Sequence, residues 1–439
     1  MSSGIIENTQ RIRDALPQEG LFDGKDWLVS PEPLRISNAF ADELEKLGYR
    51  LHLFVRACNQ LYFQSVKGKQ PHWIAQLLDK GKPPELVELA RQRREETPQV
   101  IRPDLILTED GFAISELDSV PGGIGLTAWL GQTYADLGFE ILGGANGMVE
   151  GFRSITPEGA DIIVSEESAT YRPEMRWLAA QLNERYNPGA KWRVLDGSQP
   201  EAGFQWQPTV YRFLELFDLP NIPAMPDLTA AVTRGEAPVR VTPPFKPFLE
   251  EKLWFALFWL RPLREFWRRE LSERHFLQLQ KVIPYTWLVD PAPLPPQAVL
   301  PGLEVNDWSE VAAFSQKERQ LVLKISGFSE LAWGSRGVHI AADLPQAQWR
   351  MELERALASF ECHPYILQQF RKGRLVEQPY VDAEGEARVM QGRVRLCPYF
   401  FLSERKAHLG GALATVCPAD KKLIHGMRDA VLVPTGIGE

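Results

Sequence analysis

The chain has 439 residues, of which 44% are hydrophobic and 24% charged, and a formal net charge of −8. That length supports two or three domains with ample core. The acidic balance argues against a generic nucleic-acid or anionic-membrane surface, so neither partner is expected. The N-terminal MSSGIIENTQRIRD has no apolar segment, so no secretory leader is expected. The aromatic-aliphatic run Leu253 to Leu260 is stopped by Arg261 and Pro262 and is too short to span a bilayer. Cys58, Cys362, Cys397 and Cys417 are scattered without C-x-x-C. A disulfide framework or zinc site is therefore not expected, and a reducing cytoplasm fits.

Residues 1–100 read as helical. Asn38 to Leu47, Arg50 to Val66 and Glu85 to Glu96 carry helical spacing. Lys80, Lys82, Arg91 and Arg94 read as a solvated face, with phosphate contact as the alternative.

Arg102 to Gly125 (RPDLILTEDGFAISELDSVPGGIG) predicts two strands around a Glu109-Asp110-Gly111 turn. A three-residue loop sets Asp104 opposite Glu116, with Asp118 on the same face and Arg102 beside them. Packed carboxylates repel, and a hard cation such as Mg²⁺ relieves them. A solvated acidic face is the alternative.

Thr127 to Leu137 reads as a helix and Phe139 to Leu142 as a strand. The glycines of LGGANGMVEG lack the G-x-G-x-x-G spacing and read as a turn. An α/β unit follows. Asp161 to Ser165 is a strand, Ser168 or Thr170 caps a helix reaching about Tyr186, and Trp192 to Leu195 is the next strand. Glu166, Glu167, Tyr171 and Arg172 sit at a strand's carboxyl end, where open α/β sheets bind ligands. They read either as a substrate edge or as capping and surface. Arg212, in the strand Thr209 to Phe213, needs a partner, which is either an ion pair or an anion.

Pro-rich connections at Pro238–Pro247 and Pro291–Pro301 bracket a buried helix, Leu249 to Leu271, and a shorter one, Ser272 to Lys281. Leu321 to Ile325 is a strand carrying Lys324. A loop of small residues follows, Ser326, Gly327, Ser329, Gly334, Ser335 and Gly337, able to approach phosphate oxygens. A mobile hairpin tip would read the same. Tyr365 to Phe370 is a strand. Leu375 to Val381, Ala387 to Phe401, Ala412 to Cys417 and Ala430 to Pro434 alternate as an antiparallel sheet, with Arg393 and Arg395 on one face.

In combination these motifs resemble the ATP-grasp ligases. Lys281 in QKVIP, Lys324, the loop Ser326 to Val338 and the hinge Gln368-Gln369 match in order, with Lys252 as a weaker first lysine. The acidic hairpin Asp104, Glu116, Asp118 lies ahead of them, which looks like the circularly permuted members, including proteins similar to the synthetase part of glutathionylspermidine synthase. Asp118 stands where asparagine is commoner, and Gln369 where an acid is frequent. The resemblance covers residues 101–439.

It implies an α+β / α/β chain. A helical region spans 1–100. A permuted hairpin belonging to the ATP-grasp core spans 101–140, and a Rossmann-like pre-ATP-grasp substrate domain 141–245. Core helices and linker span 246–300, a lid 301–370, and the antiparallel core 371–439. It implies ATP and Mg²⁺ as cofactors, with metal on Asp104, Glu116 and Asp118. Lys281, Lys324, the loop and Gln368-Gln369 would hold the nucleotide. Arg102, Arg393 or Arg395 would stabilise the transferring phosphoryl group. Glu166, Glu167, Tyr171, Arg172 and Arg212 would face a small-molecule or peptide carboxylate and an amine. The implied reaction is amide formation through an acyl phosphate. A thiol or other phosphoryl acceptor, or a non-catalytic nucleotide-binding scaffold, are the alternatives.

Overall fold

Among the described residues fifteen strands form three sheets, and the chain leaves and re-enters the largest one. Strands β1 (Leu34–Ile36), β2 (Val100–Thr108) and β3 (Gly111–Asp118) come first. Next, β4 (Gly159–Val164), β5 (Lys191–Asp196), β6 (Thr209–Phe213) and β7 (Arg240–Thr242) form a parallel sheet in the order β5-β4-β6-β7. Then β8 (Thr286–Val289), β9 (Leu321–Ile325), β10 (Val338–Ile340) and β11 (Tyr365–Gln369) form an antiparallel sheet, β10-β9-β11-β8. Finally β12 (Leu375–Val381), β13 (Ala387–Ser403), β14 (Lys406–Pro418) and β15 (Val431–Ile437) rejoin the first three as β1-β15-β14-β13-β2-β3, with β12 also on β13. This computed structural model describes residues 2–438 apart from 18–26, 187–188, 190, 198–203, 234–238, 296, 333–335, 404–405 and 425–428, and only the backbone of 2 and 3.

Helices cover both faces of the large sheet. The helix Asn38–Val66 is capped by the Ser37 hydroxyl, which accepts from the Phe40 amide at 3.3 Å. It runs unbroken where the sequence suggests two helices. Gly48 is the reason: a Cβ there would come 2.4 Å from the Phe400 ring, so the glycine serves close packing on β13 and does not stop the helix. On the opposite face lies the helix Gly147–Ile155, where the sequence suggested only a turn. A Cβ on Gly147 would stand 2.4 Å from the Gly410 carbonyl oxygen in β14. Phe139 to Leu142 is not a strand; Ile141 alone bridges to Gly436.

The aromatic segment after Pro247 is core, as its composition suggests, yet it is not one helix. It divides into the helices Leu253–Trp259 and Arg264–Leu271, with Pro262 between them. Phe54 of the helix Asn38–Val66 stacks on Trp267 at 5.4 Å and meets Phe258 at 5.6 Å. The N-terminal helices therefore share the large sheet's core. Lys82 is not on a solvated face either: it forms a buried 2.5 Å ion pair with Glu251. Among the described residues no helix is long and apolar enough to cross a membrane.

Candidate active site

The hairpin β2-β3 brings Asp104 opposite Glu116 and Arg102 opposite Asp118. Its turn is one residue shorter than expected, since Thr108 pairs with Gly111. A bulge compensates: Leu105 pairs with Ile114, so Ser115 is the extra residue before Glu116. Ser115 donates to the Asp104 carbonyl at 3.0 Å and offers its own carbonyl to Lys324 Nζ at 2.7 Å.

A cleft of about 390 Å³ opens between this hairpin, β13 and the β8–β11 sheet. Its lining includes charged side chains, among them Asp104, Glu116, Lys324, Arg393 and Arg395, and apolar ones, among them Val322, Val338, Ile340, Leu423 and Ile424. Gln369 and Phe370 border it from the end of β11. A smaller recess beside it is bounded by Asp118, Glu215, Glu250, Lys252, Gly327 and Ser329.

The charges are strongly interlocked. Arg102 donates to Asp104 at 2.9 Å, to Asp118 at 3.1 Å and to the Gly122 carbonyl at 3.1 Å. Arg395 approaches the other Asp104 oxygen at 3.3 Å. Lys252 pairs with Glu116 at 2.8 Å and donates to the Ala332 carbonyl at 3.0 Å. Burial raises the Asp104 carboxyl, but Arg102 and Arg395 outweigh it and hold the group below the usual carboxylate range. Burial pushes Asp118 up despite Arg102. Glu215 is pushed up to about 8 by burial and by Glu250. Burial depresses Lys252, yet Glu116, Asp118 and Glu215 carry it above its ordinary value. Lys324 is lowered to about 8 by burial. Cys397, 3.4 Å from Asp104, is pushed up to about 12 by burial and stays a thiol.

Several sequence expectations need correction. Asp104, Glu116 and Asp118 do not form a three-carboxylate metal cage, and among the described residues no group of three acids, histidines or cysteines does. Both Asp104 oxygens face cations, and Asp118 accepts from the Val120 amide at 2.8 Å and from Arg102. Glu116, 35% exposed, is the acid that keeps an oxygen open to the cleft. Mg²⁺ commonly takes one or two carboxylates and fills the rest with water and phosphate oxygens, so the residues fit it as a single-carboxylate site on Glu116. Arg102 lines neither the cleft nor the recess; it holds the acids. Lys281 is exposed at the end of its helix and lines neither, whereas Lys252 is buried beside Glu116. Ser326 is buried, bonded to Glu251 and to the Leu253 amide, and not open to phosphate. Gln368 lines the cleft, with its side-chain oxygen accepting from Lys324 at 2.8 Å. Arg212 is fully buried, donates to the carbonyls of Pro243, Leu214 and Pro244, and pairs with Glu250, so it has no reach to a substrate.

Gly327 and Ser329 border the recess. Gly337 packs against Ile325. Gly334 and Ser335 lie outside the described residues. At the end of β4, Arg172 pairs with Glu166 at 3.0 Å and Asp196 at 3.1 Å. Glu167 meets Arg336 at 3.1 Å, and Tyr171 lies against Phe213. None of these four lines the cleft or the recess. The apolar wall from Leu423 and Ile424 and the recess acids Glu215 and Glu250 escaped sequence reasoning, since no motif marks them.

No family profile matches the chain, and no curated protein matches it. Solved structures do. A glutathione synthetase-like effector from Globodera pallida, in its apo form, superposes with a TM-score of 0.59 at 12% identity, over 99% of this chain and 97% of that one. A putative gamma-glutamylcysteine synthetase from Methylobacillus flagellatus gives a TM-score of 0.37 at 13% identity, over 87% and 84%. The mixed α/β fold is thus shared, along its full length, with a glutathione synthetase-like protein.

Proposed function

We propose that the chain is an ATP-dependent ligase that joins a carboxylate to an amine through an acyl phosphate, on a circularly permuted ATP-grasp framework. The observation that carries this reading is one cleft lined both by apolar side chains and by the lysine, arginines and carboxylate Lys324, Arg393, Arg395 and Glu116. A nucleoside triphosphate, a flat base on a polyanion, needs both. The base would lie between Val322, Ile340 and the Leu423–Ile424 wall. Lys324, Arg393 and Arg395 would neutralise phosphate oxygens. Glu116 would hold Mg²⁺, which when bound draws charge from the β- and γ-phosphates. A substrate carboxylate oxygen attacks the γ-phosphorus as the bond to ADP breaks. The amine nitrogen then attacks the acyl carbon, phosphate leaves, and the amine proton passes to water. The smaller recess, acidic and next to Lys252, suits the amine.

A second reading, a nucleotide-binding scaffold, is favoured by one observation: Asp104 and Asp118 are consumed by Arg102 and Arg395. Thermal unfolding separates the questions. A ligand at a hundredfold excess over its Kd adds about 2.7 kcal/mol to the folded state. A Mg²⁺-dependent ATP shift that is lost in Lys324→Ala, followed by ADP release with a panel of peptide acids and amines, supports the ligase. The same shift without ADP release supports the scaffold. Absence of any shift defeats both.

A further inference from the structure

On the other side of the large sheet from Arg395 lies a second cavity, of about 470 Å³. One wall is a stripe of the helix Asn38–Val66. His52, Arg56, Asn59, Gln60 and Phe63 fall on one face at successive helical turns. The opposite walls are the segment 94–99, β7 and Leu402 at the end of β13.

The segment 94–99 is fixed from behind. Lys246, 1% exposed, donates to the carbonyls of Arg94 at 3.0 Å and Glu96 at 2.5 Å and to Asn59 Oδ1 at 2.9 Å. Arg240 is held by Gln99, by the Ile155 carbonyl at 2.8 Å and by Thr209 at 3.2 Å. The walls are therefore built, not loose.

Three buried polar atoms around this cavity lack a hydrogen-bond partner among the described residues. They are both ring nitrogens of His52, 8% exposed, and the hydroxyl of Thr242, 2% exposed. Native structures seldom leave such groups unmet. Arg56, one turn from His52, forms no ion pair among the described residues. Glu95 and Glu96, the acids on this lining, lie near Arg94 and Arg93 at 3.6 Å. The unmatched charge is thus positive, and the unmatched groups include two able to donate. A compact anion answers the positive charge and the two donors, and leaves the second ring nitrogen of His52, an acceptor in the neutral form that burial and Arg56 favour, to water.

We propose that this cavity binds a compact oxyanion, a phosphate or carboxylate group, at Arg56, His52 and Thr242, at a site separate from the cleft. The test uses the full chain. Inorganic phosphate and malonate are titrated by calorimetry, and the His52 ring nitrogens are followed by ¹⁵N NMR. Saturable binding is expected below about 10 mM, equally in wild type and Lys324→Ala, with the His52 signals moving along the same isotherm. Arg56→Gln, at an exposed position, should fold normally and bind about tenfold more weakly. Tighter phosphate than malonate identifies a phosphate ligand, and the reverse a carboxylate. No saturable binding of either anion, binding unchanged by Arg56→Gln, or binding lost in Lys324→Ala would overturn the proposal.

Discussion

Lys324 Nζ stands 2.7 Å from the carbonyl oxygen of Ser115, the extra residue of the hairpin bulge. The lysine therefore bridges two sheets, and Gln368 fixes it from behind at 2.8 Å. Its charge is held in the lining of the cleft, where on the proposed reading a phosphate would meet it. Lys324→Met should keep the fold, because an apolar chain of similar length fills the same slot. It should weaken ATP binding by at least about tenfold, or ~1.4 kcal/mol. Calorimetric titration of ATP checks this; unchanged affinity would remove Lys324 from the nucleotide site.

Lys252 and Lys281 are expected to separate cleanly. Lys252 is buried and paired with Glu116, while Lys281 is exposed outside the cleft. Lys281→Ala should leave ATP binding and thermal stability unchanged. Lys252→Met strands a half-buried carboxylate and should cost about 1–3 kcal/mol. Adding Glu116→Gln should recover part of that stability while abolishing ADP release. Urea unfolding of the two single variants and the double variant gives the coupling directly; additive losses would mean the ion pair contributes nothing.

The sequence made the strands far more legible than their neighbours in space. β9 and β12 match the expected spans, because alternation and flanking turns specify a strand locally. The facing of Asp104 and Glu116 was also legible, through two offsetting differences: a shorter turn and a bulge at Ser115. Lys252 was hard to recognise. Next to Glu250 and Glu251 it reads as a solvated charge, and it is buried by carbonyls 74 and 80 residues away in sequence. Gly48 likewise reads as a helix break until Phe400 is seen against it. The convergence of the three acids beside Arg102 was legible, but the approach of Arg395 from β13 was not. Nothing local says that Arg395, on a strand far along the chain, would join Arg102 on Asp104.

Arg102 should prove structural. It joins Asp104, Asp118 and the Gly122 carbonyl with three different nitrogens. Arg102→Met leaves Asp104 buried beside Arg395 alone, and breaking such a buried network costs about 3–5 kcal/mol. Arg102→Lys should recover little, since a point charge cannot reproduce the planar fork. Asp104→Asn added to Arg102→Met should restore more stability than lysine does. Denaturant midpoints at constant slope test the order. A stable Arg102→Met chain that merely loses ligase activity would return this arginine to a catalytic role.

The pH dependence should carry opposite signs for stability and for binding. Lys324 titrates at about 8 in the folded chain, lowered by burial from an ordinary value of 10.5. Between those values the unfolded chain holds the extra proton, so unfolding takes up protons and stability rises with pH. On the proposed reading a triphosphate is held by the charged ammonium, so ATP affinity should fall as pH passes 8. Thermal midpoints and ATP titrations from pH 7 to about 9.5 should show this divergence in the wild type. The difference between wild type and Lys324→Met isolates the lysine from the other titrating groups. If both curves run parallel in the two proteins, Lys324 is not the titrating group and the burial argument for it is wrong.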